Sequence, residues 1–267
     1  MILYAENGML HLQEGVMDYI RFGNGKKTLV MLPGVGDGFK TVQGTALPFA
    51  MLYHKLIRDF TVYVFSRRRN LPKIMTTDQM AEDLNTALNL LNLRKCAVVG
   101  VSQGGMIAQW LAINHPDKVD KLVLTVTSAR PNDTIKKVVS GWLEMADKKD
   151  YKGIMMDTAK RSYSQKRLKT ALWEYQLLGS VGKPKSFDRF KIQANSCITH
   201  DAYDKLDQIS CPTLVIGGSD DQIVTGEASK EIAEKIPGCK LYMYEGLGHG
   251  LYEEAPDFLD LVKDFCK

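Results

Sequence analysis

Apolar runs that stop abruptly at turn residues recur along this chain, and each is followed by a segment with helical spacing. Thr28-Leu29-Val30-Met31-Leu32 ends at Pro33-Gly34, and Ala97-Val98-Val99-Gly100-Val101 ends at a serine between small residues. Thr61–Phe65, Leu122–Val126, Thr213–Ile216 and Leu241–Tyr244 follow the same plan. Strands buried on both faces read as continuous apolar runs, and strands alternating with helices imply a mostly parallel sheet covered on both sides. Met17–Phe22 reads as a further strand, with Gly23-Asn24-Gly25 as a hairpin turn behind it. Between the runs, Phe49, Leu52, Leu56 and Ile57 recur at helical spacing. Met80, Leu84, Leu88 and Leu91 form one stripe, with Thr77 or Asp78 available as the cap. Met106–Ile113, Ala228–Ile236 and Phe258–Phe265 read as helices too.

The alternation stops near Asp133 and resumes at Pro212. The intervening stretch has a helical period of its own, through Ile135, Val138, Val139, Trp142 and Leu143, then Leu168, Leu172 and Tyr175. The expected organisation is therefore an α/β core over residues 1–132 and 209–267, with a helical cap over 133–208 lying across the carboxyl edge of the sheet. With 267 residues, 45% hydrophobic and 25% charged, the chain can bury a large core, which excludes a disordered chain or a disulfide scaffold. A formal charge of +4, spread along the chain, points to no nucleic acid or other polyanionic partner. Residues 1–8 lack the basic and apolar regions of a signal peptide, and no window is long and apolar enough for a membrane span. Five scattered cysteines without a C-x-x-C pair are expected as free thiols in a reducing, cytoplasmic setting, with no metal site.

The chemistry is concentrated in three loops. Gly100-Val101-Ser102-Gln103-Gly104 sits where a strand gives way to a helix. A turn that tight forces the serine into a strained backbone conformation and tolerates only small neighbours. A serine hydroxyl needs a base to take its proton and a carboxylate to orient that base. His249, in Glu245-Gly246-Leu247-Gly248-His249-Gly250 after the last strand, is the preferred base, with His200 a lesser rival. His115 reads as a helix C-cap. For the carboxylate, Asp221 is preferred over the adjacent Asp220, with Asp133 a remote third. A developing oxyanion would be met by the backbone N–H groups of Gln103 and of Val35, in the glycine-rich loop Pro33-Gly34-Val35-Gly36-Asp37-Gly38. Arg67-Arg68-Arg69 reads as a loop anchor, since no aromatic interleaving or second basic stripe accompanies it. Trp142, Met145 and Tyr163 are the candidates from the cap for contact with substrate.

Taken together, Pro33-Gly34-Val35-Gly36, Gly100 to Gly105 with Met106-Ile107-Ala108-Gln109, Cys211-Pro212-Thr213-Leu214-Val215-Ile216-Gly217 and Gly248-His249-Gly250 resemble the cofactor-independent α/β-hydrolases. That group includes enol-lactonases, small esterases and the so-called haloperoxidases. The order Ser102, Asp221, His249 along the chain is the order that this family uses. The resemblance implies a serine hydrolase that acts on a small carboxylic ester or lactone, without a cofactor. An acyltransferase, a C–C bond hydrolase or a non-catalytic ligand-binding homologue are the alternatives. Two departures stand out: many relatives carry His-Gly where this chain has Pro33-Gly34, and lactonase-like relatives often have methionine at Gln103.

Overall fold

A computed structural model describes residues 3–267. Among them eight strands form one sheet in the order β1-β2-β4-β3-β5-β6-β7-β8. They are β1 (Glu6–Leu12), β2 (Gly15–Phe22), β3 (Lys27–Leu32), β4 (Phe60–Arg68), β5 (Cys96–Val101), β6 (Val119–Thr125), β7 (Thr213–Gly218) and β8 (Lys240–Tyr244). The pairs β1·β2 and β2·β4 are antiparallel, and every pairing from β4·β3 to β7·β8 is parallel.

Because side chains alternate across a strand, the apolar runs feed two cores. Val30, Leu32, Val98, Leu122, Leu124 and Val215 face α2 (Thr77–Leu90) and α3 (Gln103–Asn114). Leu29, Met31, Ala97, Val99, Val123 and Ile216 face α1 (Ala46–Leu52) and α10 (Phe258–Cys266). The predicted stripe of α2 is seen in the burial of Met80, Leu84 and Leu88, each worth about 1.5–3 kcal/mol.

Local expectations fail where distant packing decides. The Gly23-Asn24-Gly25 segment is not a hairpin, because β4 inserts between β2 and β3. Gly23 instead takes a φ of 77° and bonds to Leu3 O, and a Cβ there would meet Phe60 O at 2.6 Å. The cap of α2 is Thr76, in a reciprocal box with Gln79, not Thr77 or Asp78. The first helix stops at Leu52, so Leu56 and Ile57 pack from the turns that follow it. The third helix begins at Gln103, three residues earlier than its apolar period suggests.

Between β6 and β7 the chain leaves the sheet and forms α4 (Asp133–Asp147), α5 (Tyr151–Ser162), α6 (Gln165–Val181) and α7 (Asp188–Thr199). Asn132 caps α4 by accepting from Ile135 N and ties it to the strand-7 loop by donating to Val224 O, each at 2.9 Å. The chain returns to the sheet through His200, which is buried between Thr77 Oγ1 (2.8 Å from Nδ1) and Gln109 Oε1 (3.4 Å from Nε2). Burial pushes its pKa down to about 3. The unfolded chain therefore takes up a proton below about pH 6.5 that the folded chain refuses until about pH 3, so stability falls as pH drops through that window. His200→Gln is expected to flatten the acid limb of the stability curve in urea denaturation between those two pH values. An unchanged acid limb would show that this histidine does not set it.

Candidate active site

Ser102 lies between β5 and α3 at φ 53°, ψ −121°, a left-handed conformation that costs a non-glycine residue about 1–3 kcal/mol. Neighbouring contacts over-determine that geometry. Ser102 N donates to Thr125 O at 2.9 Å, and its carbonyl accepts from Thr127 Oγ1 at 2.7 Å and from Gly105 N at 2.8 Å. The small residues have a direct reason. A Cβ on Gly104 would fall 2.0 Å from Leu32 O, so only glycine lets the start of α3 lie against the end of β3.

The loop behind β7 turns on Asp221. Its Oδ1 accepts from Ile223 N at 2.8 Å and Val224 N at 3.0 Å, which leaves Oδ2 for His249 Nδ1 at 2.8 Å. Both side chains are buried. Asp220 is exposed and bonds to Ser219 Oγ, turned away from the histidine. His249 follows β8, and just beyond it α9 (Leu251–Glu254) is fastened by Gly250 N to Ser162 O, 2.8 Å. His115 pairs with Glu82 at 2.9 Å.

Ser102 and His249 line one cavity of about 290 Å³. No hydrogen bond joins Ser102 Oγ to His249 Nε2 among the described residues. Catalytic hydrogen bonds are often long or poorly aligned in unliganded sites and tighten when substrate binds. Phe39, Trp142, Ile154, Met155, Phe190 and Ile223 give the chamber an apolar wall, and Tyr163, Tyr175 and Tyr252 add hydroxyl groups. Trp142 and Tyr163 therefore line the cavity. Met145 does not. One turn further along α4, on the same face as Trp142, it packs with Leu143 against the apolar cluster that Trp142 shares with α5 and α7, below the cavity lining.

Gln103 opens α3 and Val35 opens the 3-10 turn Val35–Gly38, so their N–H groups belong to the first turns, where intrahelical acceptors are lacking. The loop passes close to the serine: a Cβ on Gly34 would lie 3.3 Å from Ser102 Cβ. Both N–H groups are held in place by α7. Asp37, buried in the loop, accepts from Arg67 N (3.1 Å), Gln193 Nε2 (3.2 Å) and the Arg189 guanidinium. Arg189 also binds the carbonyls of Asp37, Arg67 and Arg68. The Gln103 side chain donates to Gln193 O (2.7 Å) and Ser196 Oγ (2.9 Å).

The arginine run anchors loops. Arg67 donates to Pro33 O at 2.6 Å, Arg68 pairs with Asp83 at 2.6 Å, and Arg69 with the buried Asp18 at 2.7 Å. Burial pushes Arg67 down to about 10, still well above neutrality. Sequence reasoning misses Asp37, Arg189 and Gln193. The available signal is an aspartate inside a glycine loop: a carboxylate that follows a buried strand needs a cationic partner. Among the described residues no group of three or more His, Cys, Asp or Glu is placed to hold a metal ion.

A family model described as the alpha/beta hydrolase fold matches residues 27–256. A Caulobacter sp. (strain K31) protein with the provisional name carbamate hydrolase RutD is 26% identical over 249 residues, 87% of each chain. The 2-hydroxy-6-oxononadienedioate/2-hydroxy-6-oxononatrienedioate hydrolase of Klebsiella pneumoniae is 26% identical over 266 residues, 91% of this chain and 88% of that one. The esterase EaEST of Exiguobacterium antarcticum superposes with a TM-score of 0.81 at 20% identity, covering 97% of this chain and 98% of that chain. The enol-lactonase of Burkholderia xenovorans LB400 gives 0.80 at 17%, covering 97% and 99%. At these identities the superpositions speak to the fold alone.

Proposed function

The chain belongs to the alpha/beta hydrolase family and is a hydrolase of that fold, and from that premise we propose that it cleaves a small, neutral carboxylic ester or lactone through an acyl-enzyme on Ser102. The observation that carries this reading is the buried Asp221–His249 pair opening into the same cavity as a serine held at a strained strand–helix turn.

In the proposed mechanism Ser102 Oγ attacks the carbonyl carbon while His249 Nε2 takes its proton. Asp221 Oδ2 holds the Nδ1–H tautomer and balances the imidazolium that forms. Negative charge on the carbonyl oxygen is met by Val35 N and Gln103 N, dipoles already in place before reaction begins. Collapse breaks the C–O bond, His249 protonates the departing alkoxide, and a water activated by His249 then releases the acid. Residues 133–208 serve as a cap that roofs the cavity and excludes bulk water. Five free cysteines, three of them buried, fit a reducing, cytoplasmic setting. Among the described residues, no helix is long and apolar enough to cross a membrane.

The Klebsiella relative is named for dioates, which carry two carboxylates. Among the described residues no lysine or arginine lines the cavity, and its charged neighbour is Asp37, so a dianion would lose its hydration without a counter-charge. This favours neutral esters and lactones over a C–C hydrolysis of that kind. A fluorophosphonate probe tests the proposal, with nitrophenyl esters and lactones alongside. Stoichiometric labelling is expected, abolished in Ser102→Ala. A folded protein that resists the probe and hydrolyses nothing in the panel would leave only a binding role.

A further inference from the structure

Ser102 borders two compartments, not one. Beside the main cavity lies a void of only about 20 Å³, and the two meet at Val35, Ser102, Trp142 and Ile223. His249 lines the larger compartment and not the smaller. That asymmetry decides which half of a substrate goes where. The leaving oxygen must receive its proton from the imidazole, so the alcohol half has to lie on the side of His249. The acyl half is then directed to the other side of the serine. We propose that the small compartment is the acyl site and that it selects esters of very short acids, acetyl and propionyl. This inference rests on the acyl-enzyme reading above.

The volume supports that limit, since about 10–15 Å³ of such space accommodates one water-sized group. The walls are poorly able to yield. Ile135, Val139 and Val224 are buried and β-branched, with little χ1 freedom, and Ala194 is fully buried on α7. Trp142, which stands between the compartments, is pinned by a hydrogen bond from its Nε1 to Asp157 Oδ2 at 2.8 Å, an oxygen that Arg161 also holds at 2.7 Å. A longer acyl chain therefore has to displace packed side chains.

The experiment uses the full chain and nitrophenyl esters from acetate to octanoate, so that the leaving group is constant while the acid lengthens. The expected kcat/KM is highest for acetate or propionate and falls about tenfold or more for each methylene beyond the limit. Val139→Ala is expected to move the optimum towards butyrate and raise the butyrate-to-acetate ratio about tenfold. Ala194→Val, which fills the void, is expected to depress acetate hydrolysis. A flat profile, or an optimum at hexanoate or longer, overturns the acyl assignment and leaves the hydrolase standing. The acyl assignment is overturned equally if Val139→Ala changes preference among alcohols but not among acids. Failure of every ester, together with no Ser102-dependent phosphonylation, sinks the underlying reading instead. Should Val139→Ala not fold, the wild-type profile and Val224→Ala carry the test.

Discussion

Ser102→Ala is expected to lower kcat for ester hydrolysis by about 10⁵-fold or more, leaving the residual rate that binding and the proposed oxyanion donors supply without a nucleophile. The fold should be unaffected, because the left-handed backbone of residue 102 is fixed by bonds to Thr125, Thr127 and Gly105 that alanine retains. Ser102→Gly separates chemistry from strain. It should be equally inactive, yet more stable by about 1 kcal/mol, because glycine adopts φ 53° freely. For a chain of this size that corresponds to a rise of about 2 °C in Tm. Steady-state kinetics and thermal melts of both variants check this pair. Retained activity in either would remove the serine from its assigned role, and an unchanged melt in the glycine variant would remove the strain.

Asp221→Asn should cost about 10⁴-fold in kcat, for a reason visible in the hydrogen bonding. The Oδ1 atom accepts from two backbone N–H groups, so an asparagine there must keep its carbonyl on that side. Its amide NH₂ then faces His249 Nδ1, where Asp221 Oδ2 now stands at 2.8 Å. A donor in that place selects the imidazole tautomer with its proton on Nε2, which cannot accept from serine. Asp220→Asn, on the exposed side chain bonded to Ser219, should leave activity within a few-fold of wild type. Rates for the two variants, with nitrogen chemical shifts of the imidazole reporting the tautomer, check this. Equal losses in both would mean that the wrong carboxylate has been assigned.

The parts of this molecule that are legible in the sequence are those carried by local pattern. Strands β3, β5, β6 and β7 are buried on both faces and so show up as uninterrupted apolar runs. The loops of Ser102 and Asp221 stand directly behind such runs, β5 and β7, whereas His249 follows the more exposed β8 and is singled out by its glycine-flanked loop. β1 leaves no such signal, because it is an edge strand with alternating exposure and no apolar run. The hairpin expected at Gly23 fails because insertion of β4 is a decision of the whole sheet, invisible in the turn itself. Composition groups Met145 with Trp142 as a pocket residue. They share a helix face and one apolar cluster, and only the tertiary packing shows that the cavity reaches Trp142 and stops short of Met145. The partnership of Asp37 with Arg189 spans 152 positions of sequence and leaves no local trace.

That last partnership bears on how such a protein could be altered. The region that would roof the substrate is not one exchangeable piece. Helices α4, α5 and α6 contribute wall, whereas α7, besides placing Phe190 in the wall, grips both the glycine-rich loop, through Asp37, and the residue after the serine, through the Gln103 side chain. A chimaera that imports foreign wall segments but keeps residues 188–199 retains the contacts that hold the glycine-rich loop and Gln103, and with them the proposed oxyanion donors. A transplant that replaces the whole insertion discards those contacts, and such grafts are expected to bind new molecules without turning them over.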